Sequence, residues 1–386
     1  MYQYKIGISA QEMDDFTREH PQGTLLQSSS WATIKDNWQS ERLGVYCDNH
    51  LVATALILIK PLPLGYTILY IPRGPIMDYQ DQELVAFVFS VLRSIGKDYR
   101  ALYVKLDPFL FLSRKSPNQQ ATEEPLTWEI IQTVQESGAV WMGRTRLGSD
   151  TIQPRVQAFL YAPSFSEETL SKSSRQTLRT TRNKGVTTKI GGLDLLSDFS
   201  LLMEKTENRK QISLRDKTYY QKLLETYPGE AYITLSQLDV AQRLAEVTAQ
   251  LETSKKEETS QRLQEEQTLL IQLQKEGKNR LPLAGTLTIA FGRTSENLYA
   301  GMDAAYRRYQ PALLTWYETA AEAFRRGIQW HNLGGVEHDL DGGLYAFKTK
   351  LCPTIEELIG EFDLPVHPLY TLVAKIYTWR KKWKNR

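Results

Sequence analysis

Three stretches of this chain hold residue types that can do chemistry. Gly342-Gly343-Leu344-Tyr345-Ala346-Phe347-Lys348-Thr349-Lys350 places a glycine pair and then an aromatic ring just before a lysine. Glycines permit close backbone approaches, and a lysine held beside a ring becomes a positioned cation. The same stretch also reads as a Gly-Gly turn followed by a solvated lysine. Ser213-Leu214-Arg215-Asp216-Lys217-Thr218-Tyr219-Tyr220 brings a hydroxyl, a guanidinium and two phenols within one or two helical turns. Such groups bind a pyrophosphate and sugar hydroxyls, although Asp216 also fits a helix cap and either tyrosine a core position. Lys172 to Lys189 carries Lys172, Arg175, Arg179, Arg182, Lys184 and Lys189 with no acidic residue among them. Steps of four and three put Arg175, Arg179 and Arg182 on one helix face. That face suits phosphate or RNA backbone, or is simply solvated.

Absences narrow the chemistry. There is no G-x-x-x-x-G-K-[ST] loop, no G-x-G-x-x-G and no G-x-S-x-G elbow. Cys47 and Cys352 stand far apart, and with five histidines they form no ligand-spaced cluster, so neither a disulfide framework nor a metal is expected. Without an evident nucleophile, direct transfer from an already activated donor is the economical reaction. The net charge of +2 is too small to demand a polyanion, so local clusters matter more than the total. The N-terminus lacks signal-peptide features and no apolar run spans a bilayer, which predicts a cytoplasmic address.

The elements that must position these residues read as α/β. At 386 residues, two domains are the default. Ser28-Ser29-Ser30 reads as an N-cap for a helix at Trp31, with Lys35 one turn on. Strands are expected at Leu51 to Ile59, Tyr66 to Pro72 and Ala101 to Leu106, with a helix over Leu84 to Ile95. Ser113 to Pro125 reads as a loop and Thr127 to Glu136 as a helix. The order strand, strand, helix, strand returns in Leu283 to Phe291, Glu296 to Ala300, Ala312 to Arg326 and Ile328 to Leu333, which suggests a duplicated unit. Between the copies, Val240, Leu244, Val247 and Leu251 step by four, three and four as a heptad seam, resumed at Leu263, Leu270 and Leu273 after a polar break. Two antiparallel helices forming a protruding arm follow, or else an ordinary packed pair. From Pro368, an apolar stripe (Leu369, Leu372, Val373, Ile376, Trp383) faces basic residues (Lys375, Arg380, Lys381, Lys382, Lys384, Arg386). This fits a helix resting on an anionic inner membrane leaflet, or a packing helix with a basic tail.

Taken together, these residues resemble the FemABX peptidyltransferases, non-ribosomal enzymes that transfer amino acids from aminoacyl-tRNA to peptidoglycan precursors. The landmarks run over essentially the whole chain: Gln27-Ser28-Ser29-Ser30-Trp31 with Lys35, Ile71-Pro72-Arg73-Gly74-Pro75, Lys105-Leu106-Asp107-Pro108, Arg182-Asn183-Lys184-Gly185, Leu298-Tyr299-Ala300-Gly301 and Gly343-Leu344-Tyr345-Ala346-Phe347-Lys348. Ile152-Gln153-Pro154-Arg155 and Gly334-Gly335-Val336-Glu337 fit the branch that transfers alanine or serine to lipid II.

The resemblance implies two GNAT-like α+β domains, with an antiparallel coiled-coil helical arm (238–278) inserted in the second. The first domain would span 1–150, completed by 360–386, and the second 151–359. It implies that Lys35 and Arg215 contact the precursor diphosphate, with Ser213, Tyr219 and Tyr299 lining the same groove. Ser213 departs from a threonine of the family but keeps the hydroxyl. Lys348, with Phe347 beside it, would stand at the transfer chemistry as a cation stabilising an oxyanion. Asp107 is a candidate for accepting or orienting the amine proton, or a plain strand-end residue. The arm and the basic helix (Arg175, Arg179, Arg182, Lys184) would hold tRNA. No cofactor is implied, since Ala-tRNA or Ser-tRNA is itself the donor and the stem-peptide lysine of lipid II the acceptor. Arg307-Arg308-Tyr309-Gln310-Pro311-Ala312 lacks the glycines of an acetyl-CoA loop. That argues against an acyl-CoA N-acyltransferase; a non-catalytic tRNA-binding scaffold is the remaining alternative.

Overall fold

A computed structural model describes residues 1–144, 151–372 and 374. The first part of the chain runs β1 (Tyr2–Ile6), α1 (Ala10–Glu19), α2 (Trp31–Ile34), β2 (Gln39–Cys47), β3 (His50–Pro61), β4 (Thr67–Ile71), β5 (Ile76–Met77), α3 (Gln82–Asp98), β6 (Ala101–Leu106), β7 (Phe111–Lys115), β8 (Thr122–Glu123), α4 (Pro125–Glu136) and β9 (Val140–Trp141). The second part opens with β10 (Val156–Tyr161), α5 (Lys172–Asn183), β11 (Val186–Gly191), α6 (Leu196–Lys210), α7 (Lys217–Thr226) and β12 (Ala231–Asp239). A helix pair follows, α8 (Val240–Thr253) and α9 (Glu257–Lys275). The chain then forms β13 (Arg280–Phe291), β14 (Thr294–Met302), α10 (Pro311–Arg325), β15 (Trp330–Gly335), α11 (Gly343–Lys348), β16 (Thr354–Leu358) and β17 (Phe362–Pro365).

These strands make two mixed sheets. The first is ordered β1-β2-β3-β4-β6-β17-β9, with β5 also on β3, and the second β11-β12-β13-β14-β15-β10-β16-β7-β8. Strand β3 shows why the sheets stack. Its Ala53, Ala55, Ile57 and Ile59 face the core under α3, while Leu56 and Leu58 point the other way. The second set joins Tyr70, Trp31, Phe199, Tyr220, Leu287 and Ile289 in a core common to both sheets. Each sheet contains one β-β-α-β unit. In the first, β3 pairs antiparallel with β4, and β4 lies parallel to β6 across α3. In the second, β13 pairs antiparallel with β14, and β14 lies parallel to β15 across α10.

The sheets do not divide at residue 150. Strands β7 and β8 pair in the second sheet through β16, and β17 enters the first sheet between β6 and β9. The expected loop at Ser113 to Pro125 therefore begins as a strand. Its polar residues are satisfied laterally, by Ser113 donating to Glu357 and Arg114 to Glu356, so polarity there marks cross-strand partners. Ser30 makes no side-chain cap on the four-residue α2. The serines before Trp31 anchor the chain instead. Ser29 bonds Asp14 through its backbone N–H and hydroxyl, and the Ser28 hydroxyl lies 2.7 Å from that of Tyr227.

Helices α8 and α9 pack antiparallel after a short turn, with Val240, Val247, Leu270 and Leu273 buried and Leu244 and Leu251 partly so. Buried Arg243 crosses the pair to Glu266 at 2.7 Å, and the Tyr309 hydroxyl donates to the same carboxylate. Leu369 and Leu372 of the expected C-terminal amphipathic helix are exposed; Val373, Ile376, Trp379, Trp383 and its basic residues lie outside the described residues.

Candidate active site

A cleft of about 580 Å³ opens where α2, α7 and the face of β4 meet. Its working residues are Lys35, Arg215, Tyr219, Tyr70 and Gln153. Lys35 sits at the end of α2, half-buried, 5.4 Å from the Trp31 ring. Arg215 lies 4.9 Å over the Tyr219 ring, just before α7, whose first turn is capped by Asp216 accepting from the Tyr219 N–H. Burial and the neighbouring Arg215 both depress the Lys35 ammonium. A third cation, Lys222, is neutralised by Asp36 at 2.5 Å. Among the described residues neither Lys35 nor Arg215 has a carboxylate within ion-pair distance. Two adjacent cations left unpaired repel each other unless an anion enters, and a diphosphate carries charge enough for both. Tyr299 packs edge-on behind Tyr219, ring centres 6.1 Å apart. Ser213 is exposed and outside the residues lining the cleft.

At one end of the cleft Tyr70 points its hydroxyl at Asp107, 3.3 Å away. Asp107 also accepts from the Arg73 N–H at 2.7 Å, and the Arg73 guanidinium lies 3.7 Å from it. Burial pushes the Asp107 carboxyl up to about 6, with Arg73 opposing. Arg73 also influences Glu296 on β14, whose carboxyl burial pushes up to about 7.

Lys348 stands beyond this junction. It ends the six-residue α11 and is 4% exposed. The Glu337 carboxylate fixes the start of that helix by accepting from Leu344 N–H at 3.0 Å and Tyr345 N–H at 2.9 Å. A Cβ on Gly342 would fall 2.1 Å from the Glu337 carboxyl carbon, so this cap requires a glycine there. The Lys348 ammonium donates to the Gly335 carbonyl at 2.6 Å and lies 5.6 Å from the Trp316 ring. Phe347 packs edge-on against Trp316 at 5.3 Å and so holds that wall. Burial depresses the Lys348 ammonium to about 8, with Glu337 opposing.

A run of hydrogen bonds, partly buried except for the buried one between Asn332 and Gln157, joins the two ends. Arg73 and Gln157 both donate to the Pro154 carbonyl at 2.8 Å. Asn332 donates to Gln157 at 2.7 Å, and its own carbonyl accepts from Gly334 N–H at 2.7 Å. Gly335 follows, packed so tightly on Pro154 that a Cβ would sit 2.7 Å from that ring, and its carbonyl holds Lys348. Lys35, Arg215 and Tyr219 are thus brought together, and Asp107 and Lys348 are tied to them through shared partners. The basic helix lies elsewhere, packed on α10. Arg182 is ion-paired with Glu167 and Glu318, and Lys184 donates to the Arg308 carbonyl. Arg175 and Arg179 are exposed, with no ion pair among the described residues.

Sequence reasoning passed over Gln157, Asn332, Glu296 and Trp316 as functional residues, because single polar or aromatic residues within strands and helices carry no local signal. Arg73 and Glu337 did lie within the landmark segments.

Residues 8–378 match the model of the FemAB family. A lipid II:glycine glycyltransferase of Staphylococcus epidermidis (strain RP62A) is 27% identical over 408 residues, covering 96% of this chain and 95% of that protein. One of Staphylococcus aureus (strain bovine RF122 / ET3-1) is 27% identical over 413 residues, with the same coverage. Among solved structures, the crystal structure of FemX superposes with a TM-score of 0.79 at 26% identity, covering 96% of this chain and 99% of that one.

Proposed function

Since the chain belongs to the FemAB family, we propose that it is an aminoacyltransferase acting on lipid II, taking alanine or serine from aminoacyl-tRNA and adding it to the side-chain amine of the stem-peptide lysine. The observation that carries this reading is the unpaired Lys35–Arg215 cation pair in a cleft tied through Pro154 and Gly335 to a buried lysine. Relatives named as lipid II:glycine glycyltransferases support lipid II as the acceptor. The landmarks around Ile152 to Arg155 and Gly334 to Glu337 favour the MurM-like alanyl or seryl branch.

In this reading the precursor diphosphate lies between Lys35 and Arg215, with Tyr219 and Tyr299 as the groove wall. The acceptor amine loses a proton and attacks the ester carbonyl of the donor. A C–N bond forms and the carbonyl oxygen becomes an oxyanion beside the Lys348 ammonium. The intermediate collapses by breaking the C–O bond to the tRNA ribose, whose oxygen leaves with the proton. Lys348 acts as a charge stabiliser, and proximity of the two bound substrates supplies much of the remaining rate. Both Asp107 oxygens already face donors from Tyr70 and Arg73, so Asp107 orients Arg73 and does not serve as a free base. Arg175 and Arg179, the exposed cations of α5, bind the tRNA backbone together with the helix pair, an inserted coiled-coil arm. The basic C-terminal segment rests on the anionic membrane surface. The two β-β-α-β units are read as GNAT-like domains.

One assay tests the whole reading. Labelled alanyl-, seryl- and glycyl-tRNA, and separately labelled acyl-CoA, are each incubated with the protein and lipid II. Label from alanyl- or seryl-tRNA on the stem peptide is the expected result. Glycine alone would move the chain to the glycyl branch. Label only from acyl-CoA would make it an N-acyltransferase, and tRNA binding without transfer would make it a scaffold.

A further inference from the structure

Strands β14 and β15 run parallel for only three residue pairs, Thr294 with Trp330, Ser295 with His331 and Glu296 with Asn332, and then part. The pairing between the two strands thus stops just short of Asn297. Neighbouring strand residues point to opposite faces. Asn297 stands opposite Thr288, which itself pairs with Tyr232, whose hydroxyl donates to the Thr319 carbonyl of α10. Asn297 is therefore on the α10 face, the side on which Lys348 meets Trp316. Gly334, at φ +86°, lies near both residues: a Cβ there would lie 3.5 Å from the Lys348 nitrogen and 3.9 Å from the backbone carbonyl oxygen of Asn297.

Both polar atoms of the Asn297 side-chain amide are shielded from solvent, and neither has a hydrogen-bond partner among the described residues. A buried amide left with one free acceptor and free donors is costly unless something fills it. Its neighbours Asn332 and Gln157 are, by contrast, bonded to each other. An aminoacyl ester presents the complementary pair, an α-ammonium donor and a carbonyl acceptor on adjacent carbons. We propose that Asn297 holds the aminoacyl end of the donor where β14 and β15 part, its Oδ1 accepting from the α-ammonium and its Nδ2 donating to the ester carbonyl oxygen. The carbonyl is thereby turned toward Lys348, and a donor without an α-amine is refused. This rests on the aminoacyl-tRNA reading above.

The test uses the full chain and short RNAs ending in CCA with a stable 3′-amide link. Alanylamido RNA is compared with propionylamido RNA, and glycylamido with acetylamido; each second member lacks only the α-amine. A hydrogen bond to a charged group predicts that the intact protein prefers an amine-bearing RNA by roughly ten- to a hundredfold. Asn297→Ala should erase that preference while lipid II affinity stays unchanged. A preference that survives Asn297→Ala overturns the assignment and leaves the donor reading standing. Failure of the intact protein to bind any of the four RNAs overturns the donor reading itself. Because the amide has no protein partner, Asn297→Ala should also unfold at the same temperature as the parent or higher. A clear fall in Tm would make the amide a structural bond and overturn the proposal.

Discussion

The two β-β-α-β units share an order of elements but end differently. In the first, β4 shifts register once between Thr67 and Leu69 and then pairs with β6 to the ends of both strands at Ile71 and Leu106, and β6 is paired again by β17 on its far side. Beyond that end Asp107, Arg73 and Tyr70 close on one another. In the second, β14 and β15 part after Glu296 and Asn332, and the space beyond holds an unpartnered amide and a buried ammonium. Where the parallel pair remains zipped, the polar residues at its end satisfy each other. Where it unzips, polar groups are left over, and the proposed chemistry draws on these. Two copies of one topology can thus end with different polar groups left over, so the ends, more than the topology, have to be read for chemistry.

Substitutions should break this contrast in opposite ways. At the zipped end, Asp107→Ala leaves the buried Arg73 guanidinium without its carboxylate, and should lower unfolding free energy by about 3–5 kcal/mol in urea titrations. A variant as stable as the parent but inactive would place Asp107 in the chemistry instead. At the open end, Lys348→Ala should cut the transfer rate roughly 10²–10³-fold with lipid II binding intact. Stability should move the other way. The Lys348 ammonium is depressed from 10.5 to about 8, so between those values the unfolded chain holds a proton that the folded chain lacks. Its penalty is full below pH 8 and fades as pH rises toward 10.5. Lys348→Met should therefore gain on the order of 1–3 kcal/mol at pH 7, a gain that vanishes near pH 10. The lysine-dependent part of the rate should likewise fall above about pH 8, where the cation is lost.

Smaller effects probe the surfaces around both ends. Arg215→Ala should raise KM for lipid II about tenfold, as loss of one charge-assisted contact. An equal loss with a soluble stem peptide lacking the diphosphate would contradict that role. Replacing Arg175 and Arg179 together by alanine should flatten the salt dependence of tRNA binding by a slope of roughly 1.4, at about 0.7 per contact. If affinity at low salt does not move, those arginines are merely solvated.

Much of the frame was legible in the sequence. Strand runs and helix periodicity gave both β-β-α-β units to within a few residues, and the helix starting at Val240 followed its apolar seam. Local patterns carried these because each depends on near neighbours. What failed depended on distant ones. Ser113 and Arg114 looked like loop residues because their partners, Glu357 and Glu356, come more than 200 residues later. The serines before Trp31 imitated a cap while bonding Asp14 and Tyr227. At the site, Arg215, Tyr219 and Lys348 were visible as charged or aromatic residues in dense stretches, and Lys35 through the resemblance alone. The run from Arg73 through Gln157 and Asn332 was not, since no spacing in the chain announces a bond between residues 157 and 332. Asn297 could not be found from sequence at all, because its distinguishing property is the lack of a protein partner.

The exchange of strands between the sheets also sets the timing of folding. The first sheet takes β17 between β6 and β9, so it stays incomplete until Phe362–Pro365 has been made. An N-terminal half emerging from the ribosome would show the open flank of β6, a bare strand edge, for most of synthesis. Completion must wait for nearly the whole polypeptide, and neither sheet can be cut out as an independently folding fragment without taking strands from the other. Truncation at residue 359 should therefore yield an aggregating chain in place of a shorter folded one. The first-sheet end of the candidate site thus receives its flanking strand only with the last described strand to be made.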